Sequence, residues 1–240
     1  MGDEKVKNEA MEIMGLFQVL PRLIVFDLDY TIWPFYWLTI FVKVKESKYQ
    51  KMGDEKVKNE AMEIMGLFQV LPRLIVFDLD YTIWPFYCEC RSKREMPSLY
   101  PHARGILYAL KDKGVDVAVA SRSPTADIAN TYLDKLGIKS MFVAKEIFSS
   151  WTHKTDHFQR INQRTGVPYN AMLFFDDEDR NIETVSKMGV TSILVRNGVN
   201  LAALREGLSK FSQNLAKIDR NKQKWLKFSQ KPGSSERDKE

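Results

Sequence analysis

Short apolar runs alternate with helix-like stretches along most of the chain. The run at 74–77 (LIVF) leads directly into Asp78, and a polar insert follows from 88 to 101. An amphipathic stretch at 102–113, closed by Gly114, predicts a helix. The run at 115–120 (VDVAVA) predicts a strand; Ser123 and Pro124 then offer an N-cap and a first-turn proline for a helix over 124–136, ended by Gly137. Further strands are predicted at 141–144, 171–175 and 191–195, with helices over about 153–165 and 179–188. A last helix carries Leu204, Leu208, Phe211, Leu215, Ile218 and Trp225 as one apolar stripe, interrupted by Lys222; its first part is expected to dock on the sheet and its basic end to fray. Apolar strands separated by helices imply an α/β fold, with a Rossmann-like, mostly parallel sheet covered on both faces. Chemistry is then expected at the carboxyl ends of the strands.

Residues 1–36 recur letter for letter at 52–87, separated by the unrelated segment 37–51. Solenoid repeats drift and stack in threes or more, so one identical pair reads as a duplicated segment. Two identical strands compete for one place in the sheet. A connection of 19 residues rather than 70 favours the second copy by about 1.2 kcal/mol of loop-closure entropy. The expected organisation is a duplicated N-terminal segment over 1–51 outside the core, a folded domain over 70–214 and a basic tail over 215–240.

With 240 residues, 44% of them hydrophobic, the chain can bury a sizeable core, and it is neither collagenous nor a disulfide scaffold. The net charge of +5 lies in the tail, where 210–240 hold nine Lys or Arg against four Asp or Glu. The body is balanced, and no basic face is paired with stacking aromatics, so no nucleic-acid partner is expected. No apolar run is long enough to span a bilayer, and the first residues lack the layout of a secretory signal, so a cytoplasmic, membrane-free monomer is expected. Cys88 and Cys90 are too few for a zinc site and read as plain insert residues; His153 and His157 read as helix surface or core.

Two clusters of acids stand at strand ends. Asp78 and Asp80 follow the first apolar run, and Asp176, Asp177, Glu178 and Asp179 follow the run at 171–175. Asp179 suits the dipole of the helix that it opens. If the two strands are neighbours, Asp78, Asp80 and the Asp176–Asp177 pair share one crevice, and such a set of hard oxygens calls for Mg²⁺. Ser121 and Arg122 end another strand, where the Ser121 hydroxyl can meet an anion at a helix start. Lys154, at the start of the helix over 153–165, would be the cation that an acidic phosphate site otherwise lacks. A P-loop and a G-x-S-x-G elbow are absent, which removes support for a nucleotide-cradling kinase or a serine hydrolase.

This ordered set, D-x-D-x-T after the first strand, a strand-end Ser, a helix-start Lys and a later acidic pair, resembles the haloacid dehalogenase-like hydrolase superfamily. The wording FDLDYTIWPF, VAVASRSP, KEIFSSWTHKTDHF, GVPYNAMLFFDDEDRNI and GVTSILVRNG resembles its magnesium-dependent phosphatase-1 family over roughly 70–214. The resemblance implies a phosphatase domain with a minimal cap, since the insert at 88–100 is short. It also implies Mg²⁺-dependent hydrolysis of phosphomonoesters, with Asp78 as nucleophile through an aspartyl-phosphate and Asp80 as acid and base. Asp78, the Asp80 carbonyl and Asp177 would hold the metal, and Ser121, Arg122, Lys154 and Tyr87 would bind substrate. Phosphotyrosine on proteins and phosphorylated sugars attached to proteins are the substrate classes it implies. On this reading Asp27 and Asp29 of the first copy are idle. The alternative is a catalytically impaired binding protein in which the duplicated strand blocks the site.

Overall fold

A computed structural model describes residues 35–229, with side chains over 51–225. Asp27 and Asp29 lie outside these residues. The chain divides into a unit ending at Ser47 and a unit over Lys48–Glu240, and the sheet belongs to the second. The described elements, in chain order, are α1 (Phe35–Gly66), β1 (Leu74–Phe77), α2 (Ala103–Asp112), β2 (Asp116–Ser121), α3 (Ala126–Lys135), β3 (Phe142–Ile147), α4 (Thr155–Thr165), β4 (Met172–Asp176), α5 (Asp179–Lys187), β5 (Thr191–Leu194) and α6 (Leu201–Ser229).

All five strands are parallel, in the order β3-β2-β1-β4-β5. The strand in the central slot comes from the second copy of the repeat. Alternation along each strand sends side chains to opposite faces, and both faces are buried. Ile75, Phe77, Val117, Val119, Leu173 and Phe175 join α2, α3 and α6 on one side; Leu74, Val76, Ala118, Ala120, Met172 and Phe174 join α4 and α5 on the other. The chain moves outward from β1 to β2 and β3, then returns to the other side of β1 for β4 and β5. This reversal opens a crevice at the carboxyl ends of β1 and β4, where parallel sheets of this kind bind ligands.

The packed core begins before residue 70. Ala61, Ile64 and Met65 on α1 are buried in the same cluster as α2. Gly105 makes this contact close, because a Cβ there would lie 2.7 Å from the Asp54 carbonyl oxygen and from Val57. Arg104 pairs with Asp54 at 3.5 Å and Lys58 with Asp112 at 2.7 Å across the same seam. Helix α6 buries Leu204, Leu208 and Phe211, as its stripe predicts, but continues unbroken past residue 215 to Ser229, with Ile218 and Trp225 exposed. The boundary between domain and tail therefore falls inside a helix. Helix α3 starts later than the Ser123-Pro124 signal predicts: Thr125 holds the N-cap position without a side-chain cap, while the Ser123 hydroxyl meets the Thr125 hydroxyl at 3.1 Å. Strand β3 also runs three residues beyond the predicted end at 144. Among the described residues no helix is long and apolar enough to cross a membrane.

Candidate active site

Strand β1 ends at Phe77, and the Asp78 amide still pairs with the Phe175 carbonyl at 3.0 Å, which fixes Asp78 at the mouth of the β1–β4 crevice. The chain then turns sharply. Tyr81 is left-handed (φ 52°), and the amides of Thr82, Ile83 and Trp84 all point at the Leu79 carbonyl at 2.9–3.2 Å. The turn brings the Asp80 carboxylate back beside the insert, where Trp84 Nε1 donates to Oδ1 at 2.7 Å and the Cys88 amide donates to Oδ1 at 3.2 Å and to Oδ2 at 3.3 Å. Cys88 is thus buried against the site rather than being a plain insert residue.

Lys154 enters from the β3–α4 loop. His153 and Lys154 are both left-handed (φ 44° and 72°), an arrangement that costs on the order of 1–2 kcal/mol per residue outside glycine. It turns the lysine inward, where it is 1% exposed. Its ammonium donates to Asp78 Oδ1 at 2.6 Å and to Asp176 Oδ2. Burial opposes its charge, but the carboxylates of Asp176 and Asp78 outweigh this and raise its pKa. Burial in turn pushes the Asp78 carboxyl well above the usual range; Lys154 opposes the rise, and Asp176 and Asp80 add to it.

The acids at the end of β4 and just beyond it divide their tasks. Asp176 is fully buried and accepts from Lys154, from the Glu178 amide at 2.8 Å and from Asn181 Nδ2 at 3.1 and 3.2 Å. Asp177 lines the cavity, and burial and then Asp176 raise its pKa to about 6. Ser121, at the end of β2, is buried and accepts from the Ser123 amide at 3.3 Å. Arg122 is held across the crevice, its Nε donating to the Ser150 carbonyl at 3.2 Å and its Nη1 meeting Glu178 at 3.3 Å. Tyr87 forms an edge-to-face pair with Tyr81 at 4.8 Å at the rim.

One cavity of about 250 Å³ collects these groups: Asp78, Asp80, Asp177, Ser121, Arg122, Lys154 and Tyr87 all line it. Glu89, Glu178 and Asn181 also line it, and sequence reasoning passed over their part in the site. It also missed Trp84 and His157. The His157 Nε2 bridges the carbonyls of Ser121 at 2.9 Å and Phe148 at 3.0 Å, tying the end of β2 to the loop that carries Lys154.

The lining holds five carboxylates against two cations, Arg122 and Lys154. A bound anion would deepen that excess, so the donor set suits an added hard cation. Among the described residues no three His, Cys, Asp or Glu side chains gather as a metal cage. Two carboxylates with a main-chain oxygen suffice for Mg²⁺, which usually keeps several waters. Asp78 and Asp177 both line the cavity, and the Asp80 carboxylate beside them accepts from Trp84 and the Cys88 amide.

Comparison with known proteins adds three likenesses. Residues 70–214 match the sequence model of the Acid Phosphatase family. Magnesium-dependent phosphatase 1 of Homo sapiens is 41% identical over 158 residues, covering 60% of this chain and 89% of the human one. A HAD-like hydrolase superfamily protein of Schizosaccharomyces pombe is 33% identical over 156 residues, covering 54% of this chain and 90% of its own.

Proposed function

The chain belongs to the Acid Phosphatase family and is a magnesium-dependent phosphatase, and we propose that it works by two displacements, through an aspartyl-phosphate on Asp78. The Asp78 carboxylate attacks phosphorus, the ester P–O bond breaks, and the proton of Asp80 goes to the departing oxygen. Asp80, now ionised, takes a proton from the water that attacks the phosphoaspartate, releasing phosphate and restoring both acids. When bound, Mg²⁺ would offset charge between the phosphate and the groups that hold it, Asp78, Asp177 and the Asp80 carbonyl.

The observation that carries this reading is Lys154, buried and donating to Asp78 at 2.6 Å. Phosphoryl transfer depends mainly on placement and charge neutralisation. A cation fixed beside the attacking carboxylate is placed to grip a phosphoryl oxygen, with Ser121 lining the same cavity. Arg122 and Tyr87, at the rim, meet the body of the substrate. The insert adds only a short 3-10 turn, Cys88–Cys90, so the crevice stays open to a protein-borne phosphate, on tyrosine or on an attached sugar.

Release of p-nitrophenol from its phosphate ester tests the reading. Activity should need Mg²⁺ and vanish in EDTA; Asp78→Asn should abolish it, and Asp27→Asn should leave it. Activity lost only in Asp27→Asn would give the site to the first copy, and silence of the wild type with Mg²⁺ would favour a binding protein.

A further inference from the structure

We propose that Trp84 is a positioning residue for the leaving-group proton: its indole N–H orients the Asp80 carboxyl so that Oδ2 is the oxygen presented to the substrate. The inference rests on the reading of Asp80 as proton donor.

The geometry is specific. Trp84 Nε1 donates to Asp80 Oδ1 at 2.7 Å, the shortest contact that this carboxylate makes with the Trp84 and Cys88 donors. The Cys88 amide is shared between Oδ1 at 3.2 Å and Oδ2 at 3.3 Å, so the Trp84 N–H is the contact that sets the two oxygens apart. A carboxyl oxygen already accepting the indole N–H is a poor place for a proton, because the proton would face that donor. The acid form of Asp80 is therefore directed to carry its hydrogen on Oδ2.

Trp84 itself is rigidly held. It is fully buried, stacked on Phe86 at 5.6 Å with 4° between the planes, and met edge-on by Tyr132 at 6.1 Å. Tyr132 is anchored in turn by its hydroxyl, which donates to the Ser92 carbonyl at 2.8 Å. The turn from Leu79 to Trp84 fixes the distance between donor and acceptor. The indole N–H is the part that Asp80 uses.

A positioning role of this kind has a signature that loss of packing lacks. An alkyl phosphate, such as glycerol phosphate, needs a proton on its leaving oxygen, whereas p-nitrophenolate departs without one. The test compares kcat/KM for the two esters in the wild type, in Trp84→Phe, and in protein carrying benzothienylalanine at position 84. The last keeps the indole shape without the N–H, so folding is preserved. Both changes should lower kcat/KM for glycerol phosphate about tenfold or more, and for p-nitrophenyl phosphate less than about threefold. Because each ratio is taken on one preparation, partial misfolding cancels. Equal losses on both esters, or no loss on either, would overturn the role of Trp84. Asp80→Asn separates the underlying reading: full retention of glycerol phosphate hydrolysis there would remove Asp80 as donor, and Trp84 with it.

Discussion

Lys154, on a left-handed backbone at the start of α4, donates to Asp78 Oδ1 at 2.6 Å, joining two segments 76 residues apart in the chain. The pair is almost wholly buried, with side-chain exposures of 1% and 8%. Two carboxylates, Asp78 and Asp176, depend on this single ammonium.

Lys154→Met should leave both acids buried without their partner. Breaking such an arrangement costs about 3–5 kcal/mol, and losing one charge-stabilising donor lowers kcat by about 100-fold or more. Thermal unfolding and steady-state kinetics on the variant check both. A variant as stable and as active as the wild type would contradict the buried triad.

Asp176 and Asp177 should separate by function. Asp177→Asn is expected to raise the Mg²⁺ concentration for half-maximal activity by on the order of tenfold or more, with little change in unfolding temperature. Asp176→Asn removes the acceptor for Lys154 and should lower the unfolding temperature instead. Metal titrations of activity, paired with melting curves, distinguish the two outcomes.

His157 should make the fold sensitive to acid. Burial, followed by the Lys154 charge, lowers its pKa from 6.5 to about 4, so the folded state keeps it neutral while the unfolded chain protonates it. A base with a depressed folded pKa contributes stability above its unfolded pKa and loses it as pH falls from about 6.5 to about 4. The linkage amounts to about 3 kcal/mol. His157→Gln should cost stability at pH 7 and close that gap to the wild type at pH 4, as read by urea unfolding at the two values.

The N-terminal boundary can be tested by truncation. Deleting 1–51 leaves Ala61, Ile64 and Met65 in place and should preserve turnover, whereas deleting 1–69 removes them and should unfold the domain. Gly105→Ala should destabilise by about 1–3 kcal/mol, because its Cβ would meet backbone at Asp54. Unchanged melting in Gly105→Ala would argue against this seam.

Periodicity made the sheet legible, because β1, β2 and β4 are short, largely apolar on both faces and followed in the chain by a stretch at helical spacing. The run 171–175 into Asp176 is the clearest case: continuous burial of Met172 to Phe175 leaves no other reading. The site's acids and Lys154 were legible as residue types at strand and helix ends. What escaped was tertiary. Helix α1 buries Ala61, Ile64 and Met65 through a close approach at Gly105, and the chain between them holds no pattern that names the partner. Trp84 is one aromatic among many in sequence; only the turn after Asp80 aims its N–H. The start of α3 slipped because the Ser123 hydroxyl found Thr125 instead of a helical amide.

The central claim is that Asp78 carries the phosphoryl group during turnover. Sodium borohydride reduces an acyl phosphate to the alcohol, so quenching the enzyme with it during hydrolysis of p-nitrophenyl phosphate, then mapping peptides by mass spectrometry, locates the modified residue. The account predicts homoserine at position 78, absent without substrate and absent in Asp78→Asn. Homoserine at another aspartate, or none while phosphate is being released, would contradict it.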